Sequence, residues 1–385
     1  MKILIIHNYY LQAGGEDVVF AQESSLLSKD HIVKKLPFYN KSGIYGAIQF
    51  FTSIWNLKAA WNLKKIIAEF QPQLIHIHNC HFACGPLIIR IARKKKVPVI
   101  LTLHNYRLLC PSTYLMLNGR LFTVSLHQNF PWTAVKNKAY RNSVIQTFWL
   151  GLVVWFHRIV GTWKMVNKFI TLTEFEKNIF QHSKLHLNKN QLVVKYNFLK
   201  DPELTPQNRN NNFLFVGRLS REKGIHLLLH AFSKSGLPII IAGDGPLKNE
   251  VEAISSTHNN VRYAGRLSGE DVKKLMQNST ALIFPSIWYE GMPMTIIEAF
   301  ATGTPVIASN IGAMASMITH NFNGLHFNLE DADDLTKTVF MWQSLPQDAK
   351  NIFYKNARLT YEENYTPEDN LKQLVSIYEQ VTTWY

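Results

Sequence analysis

Short apolar segments alternate with helix-length segments along most of the chain, and this alternation constrains the fold more than any other feature. Each apolar segment has the length of a buried β-strand, and the segments between them are long enough to cross over a sheet. Strands separated in this way are expected to pair in parallel. The sequence therefore predicts an α/β protein with doubly wound parallel sheets.

The alternation divides into two halves on either side of a polar run, Asp201–Asn212, which has the composition of a linker. The predicted strands of the first half are Ile3–His7, His31–Leu36, Leu74–His78, Val97–Leu103, Phe169–Leu172 and Gln191–Tyr196. Those of the second half are Phe213–Val216, Pro238–Ala242, Val261–Tyr263, Ala281–Phe284 and Pro305–Ala308, with helices such as Ile225–Ser233 and Asp271–Gln277 between them. We therefore expect two domains, residues 1–200 and 201–365.

A last helix is predicted over residues 366–385. Thr366-Pro367-Glu368-Asp369 has the pattern of a capping box with proline at the first helical position. The apolar residues that follow are expected to mark one face of this helix: Leu371, Leu374, Val375, Tyr378 and Val381.

Composition and charge narrow the class of protein. With 46% hydrophobic and 18% charged residues the chain is globular, and its three cysteines form no disulfide framework, which fits a reducing compartment. Ile3–Ile6 is too short for a signal-peptide core, so a cytoplasmic protein is expected. Residues 1–200 carry 26 Lys+Arg and 7 Asp+Glu, a balance of +19, whereas residues 201–385 have a balance of −5. This asymmetry indicates different partners for the two halves.

Two glutamates near the C-terminal end, Glu290 and Glu298, stand eight positions apart around a turn that opens an apolar helix. Eight helical positions span about 12 Å, roughly the reach from the ribose of a nucleotide-sugar to its sugar. Carboxylates accept hydrogen bonds from pairs of hydroxyls. The helix N-terminus between them offers free amides to a diphosphate, at Met294 and Thr295. One segment can therefore hold all three parts of a sugar donor.

The segment Pro285–Ser309 resembles the E-x7-E signature of the retaining glycosyltransferases of family 4, including the flanking Pro-Ser and Gly-Thr-Pro-Val. The resemblance implies the GT-B fold, in which two Rossmann-like domains face each other across a cleft and the terminal helix packs back on the first domain. It implies that Glu290, with Gly291, holds the transferred sugar and that Glu298 holds the ribose. Pro293 stands where many members have glycine, and proline has no N–H to offer a phosphate.

The segment Phe215–Gly224 places Arg218 and Lys223 between a predicted strand and helix, where both cations could neutralise a departing nucleoside diphosphate. The Gly-Arg-Leu…Lys-Gly motif of family 4 carries this role. The turn Gly243–Pro246 matches the family's Gly-Asp-Gly-Pro turn and is expected to shape the site without touching substrate.

Two segments of the first half match the family as well. Gly14 and Gly15 open a helix after the first strand, and the resemblance places Gly15 against the donor. Thr102–Pro111 closely matches a Thr-x-His-Asn-Tyr-Arg segment of a subset that includes many capsule and lipopolysaccharide enzymes. In this segment His104 corresponds to the family's histidine beside the transferred sugar. Asn105 follows His104 directly.

The run His76–Cys84 contains three histidines and two cysteines, but their spacing fits no common zinc pattern. No metal site is expected. His78 and Asn79 at a strand's carboxyl end are expected to border the acceptor site, together with Asn105.

These features predict a retaining glycosyltransferase, without cofactor or divalent metal, that moves a sugar from a UDP- or GDP-sugar to an acceptor hydroxyl. Glu290, His104, Arg218 and Lys223 are its expected catalytic residues. A GT-B-fold sugar-nucleotide epimerase is an alternative. A nucleic-acid-binding protein is a second one, because basic charge alone attracts phosphates, although no nucleic-acid-binding motif is present.

The basic first half also contains two aromatic segments, Phe50–Lys65 and Phe148–Phe156, each too short to span a bilayer. Phe148–Phe156 fits a core helix, whereas Phe50–Lys65 fits either a core helix or a helix in the membrane interface. We therefore expect a peripheral enzyme at the cytoplasmic membrane face, with an anionic membrane surface and a lipid-linked glycan precursor as partners and cell-surface polysaccharide as product.

Overall fold

The computed structural model describes residues 1–12, 14–203 and 209–382. The chain divides into two compact units. The first contains Met1–Leu117, Leu121–Tyr196 and the residues from Asn370 onward, and the second contains Asn118–Arg120 and Asn197–Asp369. The chain therefore changes unit a few residues away from the predicted positions 200 and 365. Residues 204–208 of the predicted linker lie outside the described residues.

The first unit contains a six-stranded sheet in which every pair of neighbours is parallel, with the order β2-β1-β3-β4-β7-β8. Its strands are β1 (Lys2–Tyr9), β2 (Ile32–Tyr39), β3 (Leu74–Ile77), β4 (Val99–Thr102), β7 (Lys168–Thr171) and β8 (Leu192–Val194), and β5 (Met116–Leu117) and β6 (Arg120–Leu121) form a separate pair. The helices up to this point are α1 (Gly15–Leu27), α2 (Gly43–Thr52), α3 (Leu57–Phe70), α4 (Leu87–Lys94), α5 (Trp132–Lys136), α6 (Val144–Ile159) and α7 (Glu174–His182).

The second unit contains another parallel six-stranded sheet, with the order β11-β10-β9-β12-β13-β14. Its strands are β9 (Phe213–Val216), β10 (Ile239–Ala242), β11 (Val261–Gly265), β12 (Ala281–Phe284), β13 (Val306–Ser309) and β14 (Gly324–Phe327). Its helices are α8 (Ile225–Ser235), α9 (Lys248–Thr257), α10 (Gly269–Asn278), α11 (Met294–Ala301), α12 (Gly312–Met317), α13 (Ala332–Ser344) and α14 (Gln347–Asn364). Short 3-10 helices lie at Ser53–Trp55, Val124–His127, Trp163–Met165, Lys189–Gln191 and Arg221–Lys223.

All of the predicted strands are present, with ends that differ by at most three residues. The doubly wound parallel sheets are therefore confirmed. The prediction missed β14, in which a glycine and the half-buried His326 interrupt the apolar pattern at the edge of the sheet. It also missed the two-residue strands β5 and β6, which are too short to carry a hydrophobic period.

The strand order fixes where each sheet can bind a ligand. In the first unit the order reverses between β1 and β3, and in the second unit it reverses between β9 and β12. Loops that leave the carboxyl ends of these neighbouring strands turn to opposite faces of the sheet. A crevice forms between such loops, and ligands of open α/β sheets bind there.

The last helix, α15 (Pro367–Thr382), belongs to the first unit. It begins at the predicted cap, where the Asp369 amide donates to Thr366 Oγ1 at 3.2 Å. The side chains of α15 that pack in a core with Ile3, Ile5 and other residues of the first unit are Leu374, Ile377, Tyr378 and Val381. Ile377 was not predicted on this face, and Val375 is only half-buried. Residues 383–385 of the predicted helix lie outside the described residues.

No helix among the described residues combines the length and the apolar character that a bilayer-crossing segment requires.

Replacement of Leu374 with alanine should lower the free energy of unfolding of the first unit by about 2–5 kcal/mol, because the fully buried side chain leaves a cavity. Urea denaturation followed by circular dichroism measures this change. The control Val375→Ala, on the half-buried side of the same helix, should cost much less. Equal losses for the two variants would contradict the packing described here.

Candidate active site

In the second unit, the loop after β9 and the loop after β12 are bound to each other at the switch point. The Ile287 amide donates to the Glu222 carbonyl at 2.9 Å, and the Ser286 hydroxyl oxygen lies 3.2 Å from the same oxygen. Gly224 has a φ of +73°, and a Cβ on it would lie 1.9 Å from the Pro285 carbonyl oxygen. Glycine is therefore required for the two loops to approach this closely.

These contacts bring Lys223 and Glu290 together. The Lys223 ammonium donates to Glu290 Oε1 at 2.6 Å, and the Ser286 hydroxyl donates to the same oxygen at 2.7 Å. Lys223 also lies over the rings of Phe284 and Trp288, with its ammonium 5.5 and 5.4 Å from their centroids. Glu290 is buried, but Oε2 is bonded to no other group among the described residues. One carboxylate oxygen is thus held rigidly while the other remains available to a hydroxyl.

Arg218 lies in the loop after β9, is exposed and forms no ion pair within the described part of the chain. The backbone beside it is held by the turn Gly243–Pro246, since the Leu219 amide donates to the Asp244 carbonyl at 2.9 Å. The Leu247 amide in turn donates to the Leu219 carbonyl at 2.9 Å. The loop therefore presents a free guanidinium on a fixed backbone.

Helix α11 begins at Met294 with Pro293 as its N-cap, directly after Glu290 and Gly291. The first amides of a helix have no intrahelical acceptor, so those of Met294 and Thr295 can bind an anion. Glu298 lies one turn further along, and burial raises its pKa. The predicted donor-binding residues of this half therefore cluster on two adjoining loops and one helix start.

In the first unit, a small pocket lies at the carboxyl edge of the sheet. Glu16 of α1 and Thr102 of β4 contribute to its polar lining. The other polar side chains follow β3 and β4, and they include His78, Asn79, His81, His104 and Asn105. Asn79 Nδ2 donates to the Asn8 carbonyl at 3.0 Å and lies 3.4 Å from Glu16 Oε1. The predicted acceptor-side residues and His104 therefore line one pocket.

Gly14 and Gly15 lie at the start of α1, as predicted, and both are exposed. Asp17 holds this start, since Oδ2 accepts from the Gly14 amide at 2.8 Å and Oδ1 lies 2.7 Å from His7 Nε2. A Cβ at either glycine would meet no other atom within 4 Å. The backbone here is open to a ligand.

Burial controls the titration of the pocket. It raises the pKa of Glu16 to about 8, and the nearby Arg107 opposes this shift. It lowers the pKa of His104 to about 3 and that of His78 well below its usual value. The two imidazoles are therefore neutral at physiological pH.

Within the described residues, Glu23, His76 and His78 form the one group of three side chains whose ligating atoms could surround a metal ion. However, the Lys195 ammonium is already bonded to Glu23 Oε1, and a second cation beside it would be repelled. Cys80 and Cys84 are buried, and burial raises the pKa of both thiols, that of Cys80 to about 12. The donor set does not favour a metal, and its absence remains a prediction.

The sequence analysis did not identify Ser286, Glu16, Glu23 and Lys195. Two of them carried a signal, because Glu23 falls on the apolar face of α1 at helical spacing from Phe20 and Leu27, and Lys195 follows the apolar run of β8. A charge within a buried segment requires a partner, but sequence alone does not pair them.

Comparison with known proteins identifies the family. The sequence model described as Glycosyltransferase Family 4 matches residues 8–201, about half of the chain, and the model described as Glycosyl transferases group 1 matches residues 198–360. The chain belongs to glycosyltransferase family 4.

Two curated relatives of this family 4 protein are bacterial glycosyltransferases. The O-antigen chain mannosyltransferase C of Escherichia coli is 32% identical over 174 residues, which is 44% of this chain and 46% of that protein. The UDP-Gal:alpha-D-GlcNAc-diphosphoundecaprenol alpha-1,3-galactosyltransferase of Escherichia coli is 30% identical over 161 residues, 39% of this chain and 41% of that protein. The chain therefore matches less than half the length of each relative.

Among solved structures, a glycosyltransferase from Rickettsia africae superposes with a TM-score of 0.71 at 18% identity, covering 99% of this chain and 98% of that one. Such low identity establishes the fold alone. Together with the two parallel-sheet units, it confirms the GT-B fold.

Replacement of Gly224 with alanine tests the contact between the two loops. The neighbouring Gly236, at the other end of α8, has a φ of +67°, but a Cβ on it would meet no other atom within 4 Å. Gly236→Ala should therefore lower the free energy of unfolding by only about 1–2 kcal/mol, the cost of placing alanine in the left-handed backbone region. Gly224→Ala should cost about 1–3 kcal/mol more, because the loops must separate. Equal unfolding free energies in urea for the two variants would show that the loops are not in tight contact.

Proposed function

We propose that this family 4 protein is a retaining glycosyltransferase that moves a sugar from a UDP- or GDP-sugar to an acceptor hydroxyl without a divalent metal. The observation that carries the proposal is the arrangement at the second switch point. There, Lys223 and Ser286 hold Glu290 Oε1 and leave Oε2 for a sugar hydroxyl. The first-unit pocket is the proposed site for the acceptor hydroxyl, with His78, Asn79 and Asn105 on its wall and His104 as a contact to substrate.

The second unit also provides for the leaving group. Arg218 is a free guanidinium that can clamp phosphate oxygens bidentately, and the amides of Met294 and Thr295 add the positive end of a helix. In this proposal Lys223 has two contacts, with Glu290 and with the departing phosphate. Glu298 holds the ribose, and the Gly14–Gly15 backbone can approach a bound ligand closely. Arg218, Lys223 and the N-terminus of α11 together supply positive charge where a metal ion would otherwise be needed.

Retention follows in this proposal from attack on the face that the diphosphate leaves. The acceptor oxygen forms the new bond to the anomeric carbon as the bond to the phosphate oxygen breaks. The acceptor proton passes to the departing phosphate oxygen, so no side chain has to act as the general base.

Neither alternative gains support. The relatives are named as transferases, which does not favour an epimerase. Membership of family 4 gives no role to nucleic acid.

Replacement of Glu290 with alanine should reduce turnover about ten- to a hundredfold, the effect of losing a hydrogen bond to a charged group. The measurement is transfer with the true donor, which a thermal-shift panel of UDP- and GDP-sugars identifies by stabilisation. Glu250→Ala is the control, because this glutamate is exposed and pairs with His226 on the surface. Near-wild-type turnover of the Glu290 variant would remove Glu290 from the mechanism.

Treatment with a chelator should leave the transfer rate unchanged, because the proposed leaving-group contacts are all protein groups. The rate is measured after dialysis against EDTA and again after addition of Mg²⁺ or Mn²⁺. Loss of activity that either ion restores would contradict metal independence.

We also propose that the enzyme works on a lipid-linked glycan precursor at the cytoplasmic face of an anionic membrane. One of the relatives is named for a diphosphoundecaprenol acceptor, and another for an O-antigen chain. Charge supports the location, since residues 31–173 contain 19 Lys and Arg but a single acid, Glu69. A basic surface of this kind attracts anionic headgroups.

Helix α2, which ends inside the aromatic segment Phe50–Lys65, supplies an apolar contact. The segment does not form the single helix that its spacing predicted: α2 ends at Thr52 and α3 begins after Asn56, whose Oδ1 accepts from the Ala59 amide at 3.0 Å. No residue of α2 is buried, and its Ile44 and Ile48 side chains are 79% and 54% exposed. In contrast, Phe148–Phe156 lies within α6 and is buried or half-buried, as expected of a core helix.

The double variant Ile44→Ser/Ile48→Ser should bind anionic vesicles at least about tenfold more weakly than the wild type, because both side chains lie on one face of α2. Co-sedimentation with phosphatidylglycerol vesicles at low salt measures this, with phosphatidylcholine vesicles for comparison. Ile352→Ser on α14 is the control, because the Ile352 side chain is 61% exposed, which lies between the values for Ile44 and Ile48. A wild-type protein that stays in the supernatant with anionic vesicles would contradict the membrane proposal.

A further inference from the structure

His104 does not stand alone at the edge of the first-unit sheet. Its Nε2 lies 3.2 Å from His78 Nδ1, and the planes of the two rings are inclined by only 17°, with their centroids 5.4 Å apart. The other nitrogen of His104, Nδ1, is bonded to no group within the described residues, and the ring lines the pocket beside Glu16 and Asn105. Nδ1 is therefore the ring atom left for a substrate.

Behind His78 lies a buried ion pair. The Lys195 ammonium donates to Glu23 Oε1, and the other carboxylate oxygen, Oε2, lies 3.5 Å from His78 Nε2. Both of these facing atoms are buried, and neither has a hydrogen-bond partner among the described residues. Their contact at 3.5 Å is therefore electrostatic, and it favours a proton on the nitrogen that faces the carboxylate.

The position of one proton determines the rest of the chain of contacts. Burial lowers the pKa of His78 and of His104 far enough that each ring is neutral and carries a single N–H. A carboxylate only accepts, so an unprotonated His78 Nε2 would face Glu23 Oε2 lone pair to lone pair. The proton of His78 therefore lies on Nε2, and its Nδ1 accepts. His104 must then donate from Nε2, which leaves its Nδ1 unprotonated.

We propose that Glu23 is a positioning residue that, through His78, fixes the tautomer of His104 so that Nδ1 accepts a hydrogen bond from a substrate hydroxyl. The proposal rests on the proposed function for the identity of that hydroxyl, as one on a sugar donor or acceptor. The tautomer itself is a property of the first unit alone. A histidine fixed in this way selects for a hydroxyl and against a carbonyl or ether oxygen at the same place.

The other titratable groups around His78 and His104 do not offer the two rings another proton. His76 uses both ring nitrogens, with Nδ1 2.7 Å from the Tyr378 hydroxyl and Nε2 2.7 Å from the Thr102 hydroxyl. His7 is directed to Asp17 through Nε2, and burial lowers its pKa. The remaining charged neighbour, Lys195, is a donor only and is bonded to Glu23.

The variant Glu23→Gln should invert the arrangement. Lys195 can only donate, so it holds the carboxamide oxygen and turns the amide NH₂ toward His78 Nε2. His78 Nε2 then accepts, its Nδ1 carries the proton, and His104 Nε2 accepts in turn. His104 Nδ1 becomes a donor. The change preserves the shape of the side chain at position 23. It exchanges donor and acceptor in the contact between residue 23 and His78 and in the contact between His78 and His104.

Long-range ¹H–¹⁵N spectra of ¹⁵N-histidine-labelled protein, assigned by single His→Asn replacements, read the tautomers without donor or acceptor. The wild type should show a protonated Nε2 and an unprotonated Nδ1 on both His78 and His104, and Glu23→Gln should show the opposite. Glu176→Gln, at a second buried glutamate of the first unit, should leave both tautomers unchanged. Backbone amide spectra establish that each variant is folded.

Several results would overturn the proposal. They are a wild-type His104 protonated on Nδ1, a Glu23→Gln spectrum with unchanged tautomers, or stoichiometric zinc on His78 Nε2 in place of a proton. If Glu23→Gln does not fold, the wild-type spectrum alone decides. In the transfer assay Glu23→Gln should lose about tenfold in turnover with little change in donor KM, the effect of one hydrogen bond. An enzyme with the expected tautomers but no transfer would contradict the proposed function, while the proposed effect of Glu23 on the tautomers of His78 and His104 would stand.

Discussion

The reversal of strand order in each sheet is the constraint on which both candidate sites depend. Buried parallel strands require crossover connections, and a sheet that grows in both directions from its first strand must direct two neighbouring loops to opposite faces. The first unit reverses beside β1 and β3, and the second beside β9 and β12. The polar groups that contact substrate in this account follow one of these strands or β4, or lie in the helix after such a loop. The fold thus determines where chemistry can occur before any side chain is specified.

Each unit also places a glutamate–lysine pair beside its site. In both pairs the lysine binds one carboxylate oxygen and leaves the other to face a second group. Lys223 holds Glu290 Oε1 and leaves Oε2 open to a hydroxyl. Lys195 holds Glu23 Oε1 and directs Oε2 toward His78. A carboxylate has two oxygens, so one can be fixed by a cation while the other acts. Burial makes the Glu23–Lys195 pair sensitive to loss of a partner, because an unpaired charge there is strongly destabilising, whereas Lys223 is partly exposed.

The sequence was sufficient for the layers of the fold and for most of the residues that line the two candidate sites, but not for the contacts behind them. Apolar runs such as Ala281–Phe284 indicated strands because period and length are local properties. The edge strand Gly324–Phe327 and the break at Asn56 were missed, since a glycine or a capping side chain outweighs periodicity over a few residues. The pairing of Glu23 with Lys195 joins positions 172 residues apart, and no local pattern encodes it. Family resemblance supplied His104 and Glu290, whereas the contact of His104 with His78 and that of Glu290 with Ser286 emerged only from distances.

The central claim is that the chain transfers a sugar from a nucleoside diphosphate to a hydroxyl with retention. The most direct test is NMR analysis of the product formed from an anomerically pure UDP- or GDP-sugar and a lipid-linked glycan acceptor. The account predicts a new glycosidic bond with the anomeric configuration of the donor, together with one nucleoside diphosphate per bond formed. An inverted anomer would contradict retention, and an isomerised nucleotide-sugar formed without acceptor would contradict transfer itself.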